Sequence, residues 1–238
     1  MNQLGSTLNE IKHDKILDIG TGVGNFIMTI DEVVPDYQEI VGIDLSKRLL
    51  DRAATFFEAN PRIRFLEMDA SKMSFEDNVF DIVTFSNSLH HIKNHQEVFQ
   101  EVERVLKPGG YFLVNEMLSD SLNEAQMSHL FIHHFAAEID RIRGFIHDET
   151  FTKEEIIALI KKASHFKIVS SWEMQLEGQM NPFEGIDGMK KTVDQLLKQV
   201  ENHNEYPRLY AEGERMKKYF DQYGVLAATQ FLILLEKE

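Results

Sequence analysis

Between Lys15 and Glu116 short apolar runs alternate with amphipathic stretches at a spacing of about 25 residues, and this alternation limits the possible folds most. The clear runs are Lys15–Ile19 (KILDI), Glu39–Asp44 (EIVGID), Phe80–Ser86 (FDIVTFS) and Gly110–Asn115 (GYFLVN), with a weaker one at Arg64–Met68 (RFLEM). Runs that are apolar on successive residues read as strands buried on both faces, the condition of a parallel sheet covered by helices. Asn94 followed three residues on by Glu97 marks a helix start, and Pro108-Gly109-Gly110 stops that helix. Strand–helix–strand connections are almost always right-handed, so a doubly wound α/β sheet follows. Its ligand belongs beyond the carboxyl ends of the strands, at the point where strand order reverses.

After Glu116 the periodicity changes. Residues 121–143 read as one long helix, Thr152 with Glu155 caps another, and Phe166–Met174 is a sixth strand. Ile186–Val200 is helical, Pro207 suits the first turn of a further helix, and Ala228–Leu235 closes the chain as a seventh strand. No repeat or low-complexity segment interrupts this order. The expectation is a single domain over residues 1–238: a cofactor-binding half, 1–117, and helical insertions after strands five and six, 118–165 and 175–227, that cover the substrate.

Composition narrows the function. With 43% apolar and 10% aromatic residues the chain can bury a full core, and without cysteine it has no disulfide framework, thiolate metal site or thiol nucleophile. The net charge of −14 divides as −8 over residues 1–117 and −6 over 118–238, so no basic face is hidden in the balance, and a nucleic-acid partner is not expected. No stretch reaches about 18 apolar residues, so no membrane span is expected, and the N-terminal residues lack a signal-peptide pattern. The reading is a cytoplasmic protein.

Gly20-Thr21-Gly22-Val23-Gly24 follows the first strand directly and precedes a helix. Glycines there let a ligand approach the backbone, where a side chain would collide. The spacing is G-x-G-x-G, not the G-x-G-x-x-G that cradles a dinucleotide pyrophosphate. Asp18, just before the loop, would repel pyrophosphate but could accept loop amides or face a cationic group. Asp44 ends the next strand, where a carboxylate can take both hydroxyls of a ribose. A ligand with a ribose, an amino group and a sulfonium but no phosphate fits, and S-adenosylmethionine has these groups.

With these motifs in order, the stretch from Lys15 to Asn115 resembles a class I S-adenosylmethionine-dependent methyltransferase, most closely the group of ubiquinone and menaquinone biosynthesis methyltransferases. The resemblance implies a mostly parallel seven-stranded sheet of Rossmann-like type with S-adenosylmethionine as cofactor. It also implies that Asp18, Gly20, Thr21, Gly22 and Gly24 form the methionine-side loop, that Asp44 holds the ribose and that Leu45 lies against the adenine. Asp69 would meet the adenine amino group, Ala70 would add a backbone contact, and Ser86 and Asn87 would run under the methionine moiety. Leu106-Lys107-Pro108-Gly109-Gly110 matches a structural turn.

Methyl transfer to a small-molecule acceptor is an in-line displacement that needs orientation and, for some acceptors, a base. His91 of the pair His90-His91 after strand four and Glu116 at the end of strand five are candidates. On the helix at 121–143, Met127, Phe131, Phe135, Ile139 and Ile142 share a face with His134 and Glu138, which would meet the acceptor if that helix roofs the cleft. His129, His133 and Asp140 share the opposite face. No fourth ligand accompanies them, so they read as a solvated surface and no metal is expected. Only 14 residues precede the first strand, which leaves room for one short lid segment, Gln3–Lys12. The Phe- and Met-rich insertions point to an apolar or aromatic acceptor and to self-association as a homodimer. The alternatives are a non-catalytic module that keeps the cofactor pocket and an NAD(P)-dependent oxidoreductase, the latter opposed by the loop spacing and by the lack of a Tyr-x-x-x-Lys dyad.

Overall fold

In the computed structural model, which describes residues 3–175 and 185–238, five strands run parallel: β1 (Lys15–Ile19), β2 (Glu39–Asp44), β3 (Ile63–Glu67), β4 (Phe80–Ser86) and β5 (Leu106–Met117). β6 (Lys167–Met174) and β7 (Gln230–Glu236) complete a seven-stranded sheet in the order β3-β2-β1-β4-β5-β7-β6, with β7 antiparallel to both neighbours. Strand order reverses between β1 and β4, so their carboxyl ends frame the crevice expected of a doubly wound sheet. Residues 176–184, part of the second expected insertion, and residues 1–2 lie outside the described residues.

Successive strand side chains point to opposite faces, and both faces are covered. Leu17, Val41, Val83 and Phe85 join one core with Val98, Phe99 and Val102 of α4 (His95–Val105) and Ile156 and Ile160 of α6 (Lys153–Ala163). Ile16, Ile40 and Ile82 face the other core, against Leu4 and Leu8 of α1 (Gln3–Asn9) and Ile27 and Ile30 of α2 (Asn25–Val33). Burying each such side chain contributes roughly 1.5–3 kcal/mol. α3 (Lys47–Phe56) follows β2 and buries Leu50 and Ala53.

The remaining helices form a separate layer. α5 (Glu124–Ile142), α7 (Gly185–Lys198) and α8 (Tyr206–Tyr223) share a core of their own, with Ile132, Phe135 and Ile139 against Met189, Val193, Leu209 and Phe220. The material between β5 and β6 is thus divided: α5 stands with the helical layer, whereas α6 belongs to the sheet. α1 buries its two leucines in the core beside β1 and β2 and contributes no residue to the lining of the cavity at the strand ends.

Boundaries shift by one or two residues at β3, β6, β7 and α7, and two larger differences from the sequence reading have local reasons. The long helix begins at Glu124, not 121, because Asn123 caps it: the Asn123 side chain accepts the Gln126 amide at 2.9 Å while Gln126 Oε1 accepts the Asn123 amide at 3.1 Å. β5 begins at Leu106, which pairs with Phe80, before Lys107-Pro108-Gly109-Gly110 bulges out and pairing resumes at Tyr111 with Ile82. Lys237 secures the bulge, donating from Nζ to Leu106 O at 2.6 Å and from its amide to Gly110 O at 2.9 Å.

Candidate active site

The glycine loop is held to the end of β2 from both sides. The Gly20 and Thr21 amides donate to Ile43 O at 2.9 and 3.0 Å, and the Gly22 amide donates to Asp44 Oδ2 at 2.8 Å. Gly20 has φ +70°, and a Cβ there would stand 2.4 Å from Ser88 Oγ. Gly22 has φ +56°, and a Cβ there would meet no protein atom within 4 Å, so glycine keeps that volume open. Asp44 Oδ1 accepts the Ser46 amide at 2.8 Å. Each carboxylate oxygen of Asp44 is oriented by one backbone donor and retains a second lone pair.

A cavity of about 670 Å³ opens at the carboxyl ends of β1, β2, β3 and β4. Of the residues singled out from sequence, Gly20, Gly22, Asp44, Leu45, Asp69, Ala70, Asn87 and His91 line it. Asp69 Oδ1 accepts the Ser71 amide and hydroxyl, both at 2.8 Å, which leaves Oδ2 for a ligand. Asp44, Asp69 and Glu97 contribute carboxylates to the wall, and Lys93 is the one lysine or arginine among the described lining residues. That balance suits a cationic ligand and opposes a pyrophosphate.

Other expected residues stand behind the wall. Asp18 is 1% exposed and accepts the hydroxyls of Thr21 at 2.7 Å and Thr84 at 2.6 Å, not loop amides. Burial pushes its pKa up to about 6. Thr21 therefore turns inward to Asp18, and Gly24 makes room for Phe57, whose ring would lie 2.7 Å from a Cβ at that position. Ser86 Oγ accepts Asn115 Nδ2 at 2.9 Å. None of these four residues lines the cavity.

Glu116 is fully buried. Its Oε1 accepts the amides of Ser88 at 2.7 Å and Leu89 at 2.9 Å, capping the short 3-10 turn Leu89–His91, and Oε2 lies 3.3 Å from His90 Nδ1. Burial lifts its pKa to about 7. Glu116 thus fixes the loop after β4 and does not line the cavity as an acceptor-side base would. His91, the next residue along, does line it. Its Nδ1 is 3.2 Å from Ile146 O; a carbonyl only accepts, so Nδ1 carries the hydrogen and Nε2 is the proton-accepting nitrogen. Burial, then neighbouring His147, holds its pKa below the ordinary histidine value.

His134 and Glu138 are placed elsewhere, correcting the expectation that they meet the acceptor over these strand ends. They line a second cavity of about 530 Å³, with Phe131, Phe135, Met216 and Tyr219, that shares no lining residue with the first. His134 Nε2 accepts from Thr150, whose Oγ1 is 3.0 Å away and whose amide is 3.3 Å away, and Glu138 pairs with Arg208. The reason is that this side of α5 packs against α7 and α8.

The opposite face of α5 is not a solvated surface either. His129 Nδ1 accepts the Ala228 amide at 3.0 Å, and Asp140 Oδ2 lies 2.8 Å from His147 Nδ1. The His133 ring stands 4.8 Å from that of His90 and 5.1 Å from that of His147. Ile146 and His147 escaped the sequence reading. The available signal was the apolar pair Phe145-Ile146 inside a polar connection, both exposed in the structure.

Residues 17–114 match a family model described as a methyltransferase domain. A demethylmenaquinone methyltransferase of Staphylococcus epidermidis is 30% identical over 117 residues, which are 49% of this chain and 48% of that protein. The chain resembles the class I S-adenosylmethionine-dependent methyltransferases. It spans about half the length of the curated relatives it matches, and the family match over residues 17–114 includes the glycine loop, Asp44 and Asp69. Among solved structures, a SAM-dependent methyltransferase of Methanosarcina mazei aligns with TM-score 0.59 and 19% identity over 100% of this chain and 98% of its own. The cyclase SpnF aligns with TM-score 0.60 and 18% identity over 99% of this chain and 80% of its own. Such likenesses establish the fold alone, and two different named activities on it show why the site must carry the argument.

Proposed function

We propose that the protein is an S-adenosylmethionine-dependent methyltransferase acting on a small-molecule acceptor. The observation that carries the reading is Asp44 at the end of β2, with both oxygens oriented by the Gly22 and Ser46 amides and a second lone pair on each left toward the cavity. A vicinal diol needs two such acceptors side by side. Gly22 keeps the adjoining volume open, Asp69 Oδ2 supplies an acceptor for an exocyclic amine, and Leu45, 72% exposed, offers an apolar surface for a ring. The carboxylate-rich wall suits the ammonium and sulfonium groups of this cofactor.

When bound, the cofactor supplies a methyl group already activated by sulfonium, so the protein need contribute no nucleophile. The chain's own residues then hold and orient. Asp44, Asp69 and the Gly20–Gly22 backbone fix the ligand, while Asn87 and Phe85 form the floor at the end of β4. His91 and Ile146 stand on the wall, where Ile146 gives an apolar surface to the acceptor and His91 Nε2 accepts a proton from it. Ile92 and Ile146 on this wall favour an apolar or aromatic acceptor.

The test has two parts. S-adenosylhomocysteine should raise the unfolding temperature while NAD leaves it unchanged. Methyl-labelled S-adenosylmethionine should then transfer label to a small-molecule fraction of a cell extract. Stabilisation by NAD alone refutes the cofactor, and tight cofactor binding without transfer to any fraction refutes catalysis.

A further inference from the structure

We propose that His90, His133 and His147 form a binding site for one divalent transition-metal ion of the imidazole-preferring class, Zn²⁺ first among them. One ring nitrogen from each of the three residues lies within 4.8 Å of the others, the single grouping of this kind among the described residues. Tetrahedral coordination at an ordinary zinc–nitrogen distance places such nitrogens about 3.4 Å apart, so the ring nitrogens need to close by up to about 1.4 Å to share one ion. The inference stands on these histidines alone and does not depend on the methyltransferase reading.

Each of the three residues has a ring nitrogen to offer. His147 is 7% exposed; its Nδ1 faces Asp140 Oδ2 at 2.8 Å, and its buried Nε2 has no hydrogen-bond partner. His90 is 1% exposed with its Nδ1 3.3 Å from Glu116 Oε2, which leaves Nε2 for coordination. His133 Nδ1 is likewise buried without a partner. A histidine ligand backed by a carboxylate on its other nitrogen is the usual outer arrangement of a metal centre, and two of the three have it. A buried ring nitrogen without a partner is destabilising, and a coordinated ion would satisfy both His133 Nδ1 and His147 Nε2.

Location gives the site a role. The three ligands come from separate segments: the turn after β4, the middle of α5, and the connection that follows α5. One ion would tie the helical layer to the loop that Glu116 holds. The His91 ring, which lines the candidate cofactor cavity, lies 4.4 Å from the His90 ring and 4.2 Å from the His147 ring. Three protein ligands leave a fourth position of a tetrahedral ion for water or another oxygen donor.

The deciding experiment titrates the metal-free full-length chain with Zn²⁺ alone, in competition with a chromophoric chelator, and repeats it with Co²⁺ read by its visible absorption. One ion per chain is expected, lost in His133→Ala and in His147→Ala but kept in His165→Ala and His203→Ala, with folding checked by circular dichroism. Asp140→Asn leaves all three ligands in place and should weaken Zn²⁺ binding by about 10- to 100-fold, so it answers the question even if the histidine variants fail to fold. Absence of stoichiometric binding to the wild-type chain overturns the proposal. Equal affinity in the wild type and Asp140→Asn, or loss of the ion in His165→Ala or His203→Ala, also overturns it.

Discussion

Asp44 Oδ2 accepts the Gly22 amide at 2.8 Å, so the carboxylate that ends β2 is also what fixes the glycine loop at the end of β1. One side chain thereby couples the two strand ends that form one side of the cavity. The coupling explains why the glycines differ in kind, since the loop must press against Ser88 at Gly20 and stand open at Gly22.

Gly20→Ala should lower stability by about 2–4 kcal/mol, because its Cβ would meet Ser88 Oγ at 2.4 Å in a left-handed backbone conformation. Gly22→Ala adds only the conformational strain, roughly 1 kcal/mol, but narrows the cavity beside Asp44. Urea unfolding and calorimetric titration with S-adenosylhomocysteine together check the contrast: Gly20→Ala should show the larger loss of stability, and Gly22→Ala should lose affinity out of proportion to its stability. A reversed order contradicts the assigned geometry.

Asp18 gives a pH dependence of determinate sign. Its folded pKa of about 6 lies above the ordinary value of 3.8, so the folded cofactor-free chain binds more protons than the unfolded chain between those values. Its contribution is fully present below about pH 4 and is lost as pH rises through about 6, by roughly 3 kcal/mol at most. Asp18→Asn should remove that slope and be the more stable form at pH 7. Urea midpoints of both proteins at pH 4, 5, 6 and 7 check this through their difference, which should grow with pH in favour of the variant; a constant difference contradicts it.

The histidines should separate by position. His91→Gln should lower turnover at least about tenfold while cofactor affinity stays within twofold, as expected when a proton acceptor on the wall is removed. His134→Ala should leave both unchanged and lower stability by about 1 kcal/mol, through loss of its hydrogen bonds to Thr150. Steady-state kinetics and thermal unfolding distinguish them. If His134→Ala abolishes turnover, the second cavity belongs to the reaction after all.

How much of this was legible in the sequence depends on how local its cause is. The strands of the first half could be read directly because burial on both faces leaves near-continuous apolar runs, and the Thr152 and Asn94 caps because a cap is set by a residue and its third neighbour. Asp44 and Asp69 line the cavity because each stands at or just beyond a strand end, a position the strand pattern already gives. What the sequence did not reveal was which way side chains turn once layers pack. Helical periodicity placed His134 and Glu138 on one face of α5, yet α7 and α8, distant in sequence, determine what that face meets. Glu116 looked like a cleft carboxylate because it ends a strand, and only the fold shows it closing over the Ser88 and Leu89 amides. His133 likewise meets His90 and His147 through tertiary packing that no spacing rule encodes.

The central claim is that the cavity at the strand ends binds S-adenosylmethionine through Asp44. The most direct measurement is calorimetric titration of S-adenosylhomocysteine into the wild-type chain and into Asp44→Ala, with NAD titrated in parallel. The account predicts one-to-one binding of S-adenosylhomocysteine to the wild type, weakened by about 2–4 kcal/mol in Asp44→Ala, and no heat from NAD. Unchanged affinity in Asp44→Ala, or binding of NAD in place of S-adenosylhomocysteine, would contradict it.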